Sequence, residues 1–245
     1  MRTLVGLGYS PWTERARWAL DHHLLAFRYR EHLPIAGNAW LRVAARRPIG
    51  RVSVPFLTDD VGARVLGSSA IAAYAERVGT GARLLPAGSE RAIEAAVAEC
   101  DAILDVARAR VVARTKRDPE AQIEATPAYV PRALAARMKP IARATAAAIA
   151  WKYGSPEGTD DDVERVMVPR LDAIAERLRG REHVAGDGFT FADVAVASML
   201  QCVRPVEHPS WSVGPATRRA WTEPALAGRF APLLAWRDRI YAAHR

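Results

Sequence analysis

A serine-containing turn before a predicted helix is the segment best suited to chemistry. Residues 8–13 read Gly-Tyr-Ser-Pro-Trp-Thr and lead into a helical apolar pattern over residues 13–25. A helix N-terminus has unsatisfied N–H groups and a partial positive charge, so it favours a bound thiolate over the thiol. Ser10 could donate a hydrogen bond to a sulfur held there. The alternative is that Ser10 and Thr13 are ordinary caps of this helix.

The other residues of this turn, and the cysteines and histidines elsewhere in the chain, further limit the reactions that the turn could support. Tyr9 is a competing donor because a phenol is more acidic, but alternation along an extended segment points it away from Ser10. Positions 10 and 13 both lack cysteine, and a hydroxyl cannot form a mixed disulfide, which argues against thiol-transferase and disulfide-reductase reactions. Cys100 and Cys202 are predicted to be buried, reduced and inert. No spacing of histidines and cysteines fits zinc, so we expect no metal site.

Composition and charge limit the class of protein. Of the 245 residues, 50% are apolar and 25% are charged, so the chain can bury a core as one large domain or two small ones. It lacks a run of about 18 uncharged apolar residues, and its first residues lack a secretory apolar region. We expect a cytoplasmic protein that does not span a membrane.

The net charge of +8 invites a nucleic-acid interpretation, since a basic face is the usual footprint of phosphate binding. Only three of the 35 basic residues are lysines, however, and the chain is rich in alanine. This pattern indicates a compositional bias towards arginine and alanine. We therefore predict neither a nucleic-acid nor a membrane partner.

The signals for secondary structure divide the chain in two. Residues 1–80 predict the order βαβ, helix, ββα, and residues 88–245 predict helices joined through the linker 79–88. One apolar stripe runs from Ile93 to Val111, and another over residues 163–178 contains Pro169, a possible kink. Thr190 and Asp193 predict a capping box. Residues 202–221 have no readable period and are predicted to cover the mouth of the site.

Four segments in this order resemble the cytosolic glutathione transferase superfamily over nearly the whole chain. Ser-Pro-Trp-Thr at 10–13 has the layout of the C-P-x-C turn of thioredoxin-like proteins. Residues 48–57 resemble the family's loop and strand with a cis-proline, residues 66–74 its acidic-Ser-x-x-Ile-x-x-Tyr segment, and residues 188–198 its capping box. The resemblance implies a thioredoxin-like N-terminal domain followed by a C-terminal helical bundle, an α/β plus all-α protein.

The resemblance also implies an activity and its residues. Glutathione would be the co-substrate, and Ser10 the catalytic residue that stabilises its thiolate for attack on a small electrophile. Pro55 would be cis, and Val54 would offer its backbone N–H and C=O to the cysteinyl part of glutathione. The γ-glutamyl end would meet Ser68 and Ser69, although Ser68 is equally explained as a helix cap and Pro55 as an ordinary strand-start proline.

The remaining expected site residues are less firmly determined by their types. Arg51 could meet the glycyl carboxylate, while Arg15 and Arg17 could bind a glutathione carboxylate, stay solvated or form an inter-domain salt bridge. The second substrate would lie between the domains, against Tyr9, Trp12 and Tyr129, with Trp151 in the pocket or in the core. The resemblance implies a homodimer.

One departure from the family pattern favours a different function. Gly67 stands where the family has an acid that pairs with the γ-glutamyl ammonium group. Because a fold does not carry function by itself, the alternative is a non-catalytic binding or interaction module built on the transferase fold.

Overall fold

A four-stranded mixed sheet forms the centre of the N-terminal domain. The computed structural model describes residues 1–33, 36–50, 52–126 and 158–245. The strands are β1 (Arg2–Gly6), β2 (Phe27–Glu31), β3 (Phe56–Thr58) and β4 (Arg64–Leu66), in the spatial order β2-β1-β3-β4. β1 and β2 are parallel, whereas β3 is antiparallel to β1 and to β4. The parallel pair requires a crossover, which α1 (Pro11–His22) supplies.

Helices cover both faces of this sheet. Leu4 and Leu57, which are paired across β1 and β3, belong to the main core beneath α1 and α3 (Ser68–Val78). Their neighbours Val5 and Phe56 point to the opposite face and form a smaller core with α2 (Ala36–Ala44). This division follows from the alternation of side chains along a strand. The predicted order of elements is confirmed.

The second domain is helical in its described parts. The longest helix of these described parts is α4 (Glu90–Arg117), which continues without interruption through the predicted stripe. The other segments are α5 (Pro119–Glu124), α6 (Asp160–Asp162), a π-helical turn (Val163–Met167), α7 (Val168–Arg177), α8 (Phe191–Met199), a 3-10 turn (Leu200–Cys202), α9 (Pro215–Trp221), α10 (Pro224–Arg229) and α11 (Ala231–His244).

The predicted irregularity at Pro169 is a π-helical turn. Pro169 is the second residue of α7, directly after the π-helical segment Val163–Met167. A proline lacks the N–H that would bond one turn back, and widening the preceding turn to a π-helix is one way for the helix to continue.

The two domains share one apolar core. Every residue of α8 is buried, and its side chains pack in the same cluster as those of α1 and α4. Cys100 and Cys202 lie in this core as free, buried cysteines, as predicted. Burial raises the pKa of the Cys100 thiol to about 12, which keeps it protonated at neutral pH.

None of the helices among the described residues is long and apolar enough to cross a membrane. Within the same residues, no group of three or more His, Cys, Asp and Glu side chains could hold a metal ion.

Candidate active site

Ser10 occupies the N-cap of α1, yet its hydroxyl does not cap the helix. Its backbone N–H donates to the Leu7 carbonyl over 3.0 Å, and its carbonyl accepts the Glu14 N–H over 3.0 Å. The side chain makes no capping hydrogen bond and is 8% exposed. Capping therefore does not account for the Ser10 hydroxyl, which remains available to a ligand at the positive end of α1.

Thr13 takes a structural role instead. Its Oγ1 accepts the Leu7 N–H over 3.1 Å, across the turn that joins β1 to α1. A Cβ added at Gly6 would lie 2.3 Å from the Thr13 methyl group, so the helix start packs directly against the strand end. The two hydroxyls of the S-P-x-T turn thus differ, because Thr13 is bonded within the turn and Ser10 is not.

A carboxylate from the neighbouring strand also holds this turn. Glu31, the last residue of β2, accepts the Gly8 N–H over 3.0 Å through Oε1 and the Tyr29 hydroxyl over 2.7 Å through Oε2. Sequence reasoning missed Glu31 and Tyr29. The signal present in the sequence was their spacing of two on one strand, which places both on the same face.

Tyr9 is a poorer proton donor than its residue type suggested. Burial, with a smaller contribution from the Glu31 charge, raises the pKa of Tyr9 to about 12. Tyr9 is therefore less acidic here than an ordinary phenol, and its competition with Ser10 stays a prediction. A low-dielectric setting beside a carboxylate disfavours the phenolate.

The predicted cis-proline is present in the segment before β3. The Val54–Pro55 peptide bond is cis, and the Pro55 carbonyl accepts the Gly67 N–H over 2.9 Å. Val54 is partly buried, and among the described residues no hydrogen bond to its own N–H or C=O is found. Both backbone groups are therefore available to an extended ligand, as a peptide-like molecule would need.

The predicted γ-glutamyl residues Ser68 and Ser69 lie at the N-terminus of α3. Ser68 is the first residue of this helix, and Gly67 is the N-cap, so the expectation that Ser68 precedes the helix as its cap is wrong. Ser68 is buried at 6% exposure, whereas Ser69 is exposed. The first N–H groups of a helix have no partner within it, and they form a suitable site for a carboxylate.

Gly67 has a backbone conformation that side chains disfavour. Its φ of 89° and ψ of 149° lie near a region that is populated almost only by glycine. Nothing lies within 4 Å of a Cβ added there, so the constraint is the backbone and not a lack of space. The replacement of the family's acid by glycine is accordingly matched by the local geometry.

Contacts between the domains use the two arginines of α1. Arg15 is fully buried, and its guanidinium lies 2.6 Å from the Asp101 carboxylate of α4. Arg17 donates to the Ser210 carbonyl over 3.3 Å. The predicted inter-domain salt bridge is present for Arg15. Arg17 contacts the helical domain by a hydrogen bond to a carbonyl, and its ion pair, at 3.6 Å, is with Glu14 of the same helix.

Trp12 faces the same inter-domain region. Its indole N–H donates to Asp101 over 2.9 Å, and the guanidinium of Arg108 lies 5.3 Å from the centre of the Trp12 ring. Trp12 thus contacts the helical domain, and the pocket between the domains stays a prediction. The predicted residues Arg51, Tyr129 and Trp151 lie outside the described residues.

The segment 202–221 contacts α1 away from the Ser10 turn. Ser210 donates to the Glu14 carboxylate over 3.3 Å and accepts from Arg17 through its carbonyl. Glu14 and Arg17 lie one and two turns along α1. Covering of the mouth by this segment stays a prediction.

Comparisons with known proteins agree with this architecture. Residues 4–79 match the family described as glutathione S-transferase, N-terminal domain, and residues 162–239 match glutathione S-transferase, C-terminal domain. The two matches together cover more than half of the chain. No curated protein sequence matches the chain.

Solved structures share the whole fold at low sequence identity. A glutathione transferase from Phanerochaete chrysosporium is 20% identical with a TM-score of 0.64, covering 100% of this chain and 97% of that one. A glutathione S-transferase from Methylobacterium radiotolerans, solved with glutathione sulfonate, is 20% identical with a TM-score of 0.59, covering 99% and 91%. One from Methylobacillus flagellatus, with glutathione bound, is 17% identical with a TM-score of 0.55, covering 98% and 93%.

Family matches in both halves and a shared fold over the full length lead to one conclusion. The chain has a thioredoxin-like domain followed by a helical domain, and it belongs to the glutathione S-transferase family.

Proposed function

We propose that the protein is a glutathione transferase in which Ser10 stabilises the glutathione thiolate. The observation that carries this proposal is the Ser10 hydroxyl, which lies at the N-terminus of α1 without making a capping bond. The thiol proton leaves to solvent, and the sulfur lone pair then forms a carbon–sulfur bond with the electrophile. Where the electrophile carries a leaving group, that group departs with its bonding electrons; otherwise the adduct takes up a proton.

The energy required is within reach of these groups. A free thiol has a pKa of about 8.5, and lowering it by about two units needs roughly 2.7 kcal/mol, at about 1.36 kcal/mol per unit. A hydrogen bond to a charged group contributes roughly 1.5 to 3 kcal/mol, and the helix end contributes roughly 0.3 to 1 kcal/mol more.

Three regions would bind the tripeptide. The backbone of Val54, beside Pro55, would pair with the cysteinyl part, and Ser68 with Ser69 would receive the γ-glutamyl carboxylate at the start of α3. Arg51 would meet the glycyl carboxylate. Two solved relatives of the same fold hold glutathione sulfonate and glutathione respectively, which supports a tripeptide ligand in this fold.

The second substrate would be a small electrophile between the domains, against Tyr9, Trp12 and Tyr129. We further propose that the thiol-binding domain spans residues 1–80 and the helical domain residues 88–245. We also propose that the protein works in the cytoplasm as a homodimer, without a metal. One neighbour from Leishmania is described as trimeric, so the oligomeric state needs a direct measurement.

Calorimetric titration with glutathione, followed by the ultraviolet absorbance of the bound thiolate from roughly pH 5 to 9, tests the proposal. We expect binding and a thiol pKa clearly below the free value of about 8.5. Ser10→Ala should raise that pKa, whereas Ser53→Ala, at an exposed position, should leave it unchanged. An unchanged pKa in Ser10→Ala would overturn the assignment of Ser10.

A second candidate function is a non-catalytic binding or interaction module of the same fold. It is favoured by Gly67, since the acid that would pair with the γ-glutamyl ammonium group is missing and the backbone there suits glycine. No binding at millimolar glutathione would support this candidate over the transferase.

A further inference from the structure

The turn that carries Ser10 is held at three backbone N–H groups, and one of its partners comes from another strand. Thr13 accepts the Leu7 N–H, and the Leu7 carbonyl accepts the Ser10 N–H. The third of these N–H groups, that of Gly8, donates to Glu31 over 3.0 Å. Glu31 is therefore the one side chain outside the segment 7–13 that bonds a described backbone N–H of this turn.

Both oxygens of the Glu31 carboxylate have defined partners. Oε1 accepts the Gly8 N–H and Oε2 accepts the Tyr29 hydroxyl over 2.7 Å. Burial and the Glu31 charge both raise the pKa of Tyr29, so the phenol stays protonated and remains a donor. A carboxylate fixed at both oxygens has little rotational freedom, and it can set the position of the group that it binds.

Support for this pair extends into the helical domain. The Arg17 guanidinium lies 5.7 Å from the centre of the Tyr29 ring, and Arg17 also donates to the Ser210 carbonyl. A guanidinium at this distance from an aromatic ring is attracted to its face. A continuous series of contacts thus runs from Ser210 through Arg17, Tyr29 and Glu31 to Gly8.

We propose that Glu31 is a positioning residue that orients the turn carrying Ser10 through its hydrogen bond to the Gly8 N–H. This inference rests on the proposed transferase function. Glu31 does not touch the reacting atoms; it fixes the backbone two residues before Ser10, and hence the direction of the Ser10 hydroxyl. Small displacements of a reacting group lower rates strongly, by up to about 100-fold for roughly 1 Å.

Two effects of Glu31 can be separated by substitution. Glu31→Gln keeps an oxygen for the Gly8 N–H and an amide that can donate to Tyr29, but it removes the negative charge. Glu31→Ala removes both. Loss of a nearby negative charge lowers the pKa of a bound thiol, whereas loss of the Ser10 hydrogen bond raises it. The pKa of the bound thiol therefore differs between the two variants only if Glu31 positions the Ser10 hydroxyl.

The experiment measures kcat, KM for glutathione, the pKa of the bound thiol and the melting temperature of the wild-type chain and its variants. We expect Glu31→Ala to lower kcat about tenfold and to give a higher thiol pKa than Glu31→Gln. Glu31→Gln should keep kcat within about threefold, and both variants should leave KM within about threefold. Equal thiol pKa values in Glu31→Ala and Glu31→Gln would overturn the proposal and leave Glu31 acting through charge alone.

Tyr29→Phe provides a second variant if Glu31→Ala does not fold. It removes one of the two anchors of the carboxylate, so we expect kcat to fall about threefold with KM and the melting temperature little changed; an unchanged kcat would overturn the proposal. A wild-type chain that fails to bind glutathione overturns the transferase function itself, a failure visible before any variant is made.

Discussion

The start of α8 differs from the starts of α1 and α3 in how its polar groups are satisfied. At α8, the Asp193 carboxylate accepts the N–H groups of Val184 and Thr190, each over 2.8 Å, and the Thr190 hydroxyl over 3.1 Å. Asp193 is fully buried. At α1, the N-cap residue Ser10 makes no side-chain capping bond, and at α3 the N-cap is Gly67, which has no side chain to form one.

The difference indicates that the start of α8 stabilises the fold, whereas the starts of α1 and α3 are suited to binding a ligand. A helix end whose polar groups are bonded within the chain stabilises the fold and leaves nothing for a ligand. A helix end with unused N–H groups and a nearby hydroxyl is less stabilising by itself, but it presents donors to an anion or thiolate. The predictions below test this division, from the largest expected effect to the smallest.

Removing the acid of the α8 box should cause the largest loss of stability. Asp193→Ala leaves two backbone N–H groups and the Thr190 hydroxyl without their acceptor in a buried site. At roughly 1 to 3 kcal/mol for each unsatisfied donor, we expect a loss of about 3 kcal/mol or more, measured by urea unfolding. Asp187→Ala, at an exposed position of the same loop, is the control. A loss below about 1 kcal/mol would contradict the structural role.

Ser10→Ala should have the opposite profile, with a large effect on chemistry and a small one on folding. Because the hydroxyl makes no capping bond, stability should change by less than about 0.5 kcal/mol. The bound thiol should lose roughly 1.5 to 3 kcal/mol of stabilisation, equal to a rise in its pKa of about one to two units. A stability loss as large as that of Asp193→Ala would remove the contrast between the two helix ends.

Ser68→Ala tests the α3 end through affinity. A hydrogen bond from the Ser68 hydroxyl to the γ-glutamyl carboxylate is worth roughly 1.5 kcal/mol at the low end for a charged partner, so calorimetry should show glutathione binding weakened by about tenfold. The thiol pKa should not move, since this serine is assigned to the other end of the ligand. Ser68→Thr, which keeps the hydroxyl, is the matched control; equal affinity in the wild type and the alanine variant would exclude the contact.

Thr13→Val tests whether the second hydroxyl of the turn, that of Thr13, stabilises the fold. The change keeps the shape of the side chain but removes the acceptor of the Leu7 N–H, with an expected loss of about 1 kcal/mol by thermal unfolding. Thr13→Ser keeps the acceptor and should retain most of the stability. If the valine variant matched the wild type, Thr13 would not be holding the turn.

Acid should destabilise the region at the start of α8. His244 stacks on Phe189 with ring centres 4.0 Å apart. Burial is the largest cause that lowers the pKa of His244. The neighbouring His183 and His22 lower this pKa further, whereas Asp193 raises it. Because a lowered pKa means that the unfolded chain binds the proton more tightly, stability should fall as pH drops below the unfolded histidine pKa of about 6.5.

Unfolding midpoints of the wild type and His244→Gln between pH 7.5 and 5.5 check this expectation. The glutamine variant should lose less stability over the interval. Parallel pH dependence in the two proteins would show that His244 does not contribute.

Most of the correct predictions about the fold came from sequence patterns that extend over only a few residues. Apolar periodicity located α1, α3 and α4, and the pairing of Thr190 with Asp193 located the start of α8, because each signal lies within a few residues. The predicted start of α1 differs from the observed one because a single residue determines it. The helix begins at Pro11 rather than near Thr13, since proline suits the first helical position.

The site was predicted less completely, because its geometry depends on distant partners. Glu31 reaches Gly8 from 23 residues away, and Arg15 meets Asp101 from 86 residues away. The spacing of these residues in the sequence does not predict either contact. The reduced acidity of Tyr9 likewise depends on burial and on Glu31, which residue type alone does not reveal.

The sequence by itself determined the order of strands and helices, the family and the set of hydroxyl groups at helix starts, because these follow from local periodicity and short motifs. Only the tertiary structure decided which hydroxyls are used within the fold and which remain for a ligand. Thr13 is bonded and Ser10 is not, and that distinction depends on where the end of β1 lies relative to α1. A hydrogen bond needs both distance and direction, and long-range packing sets both.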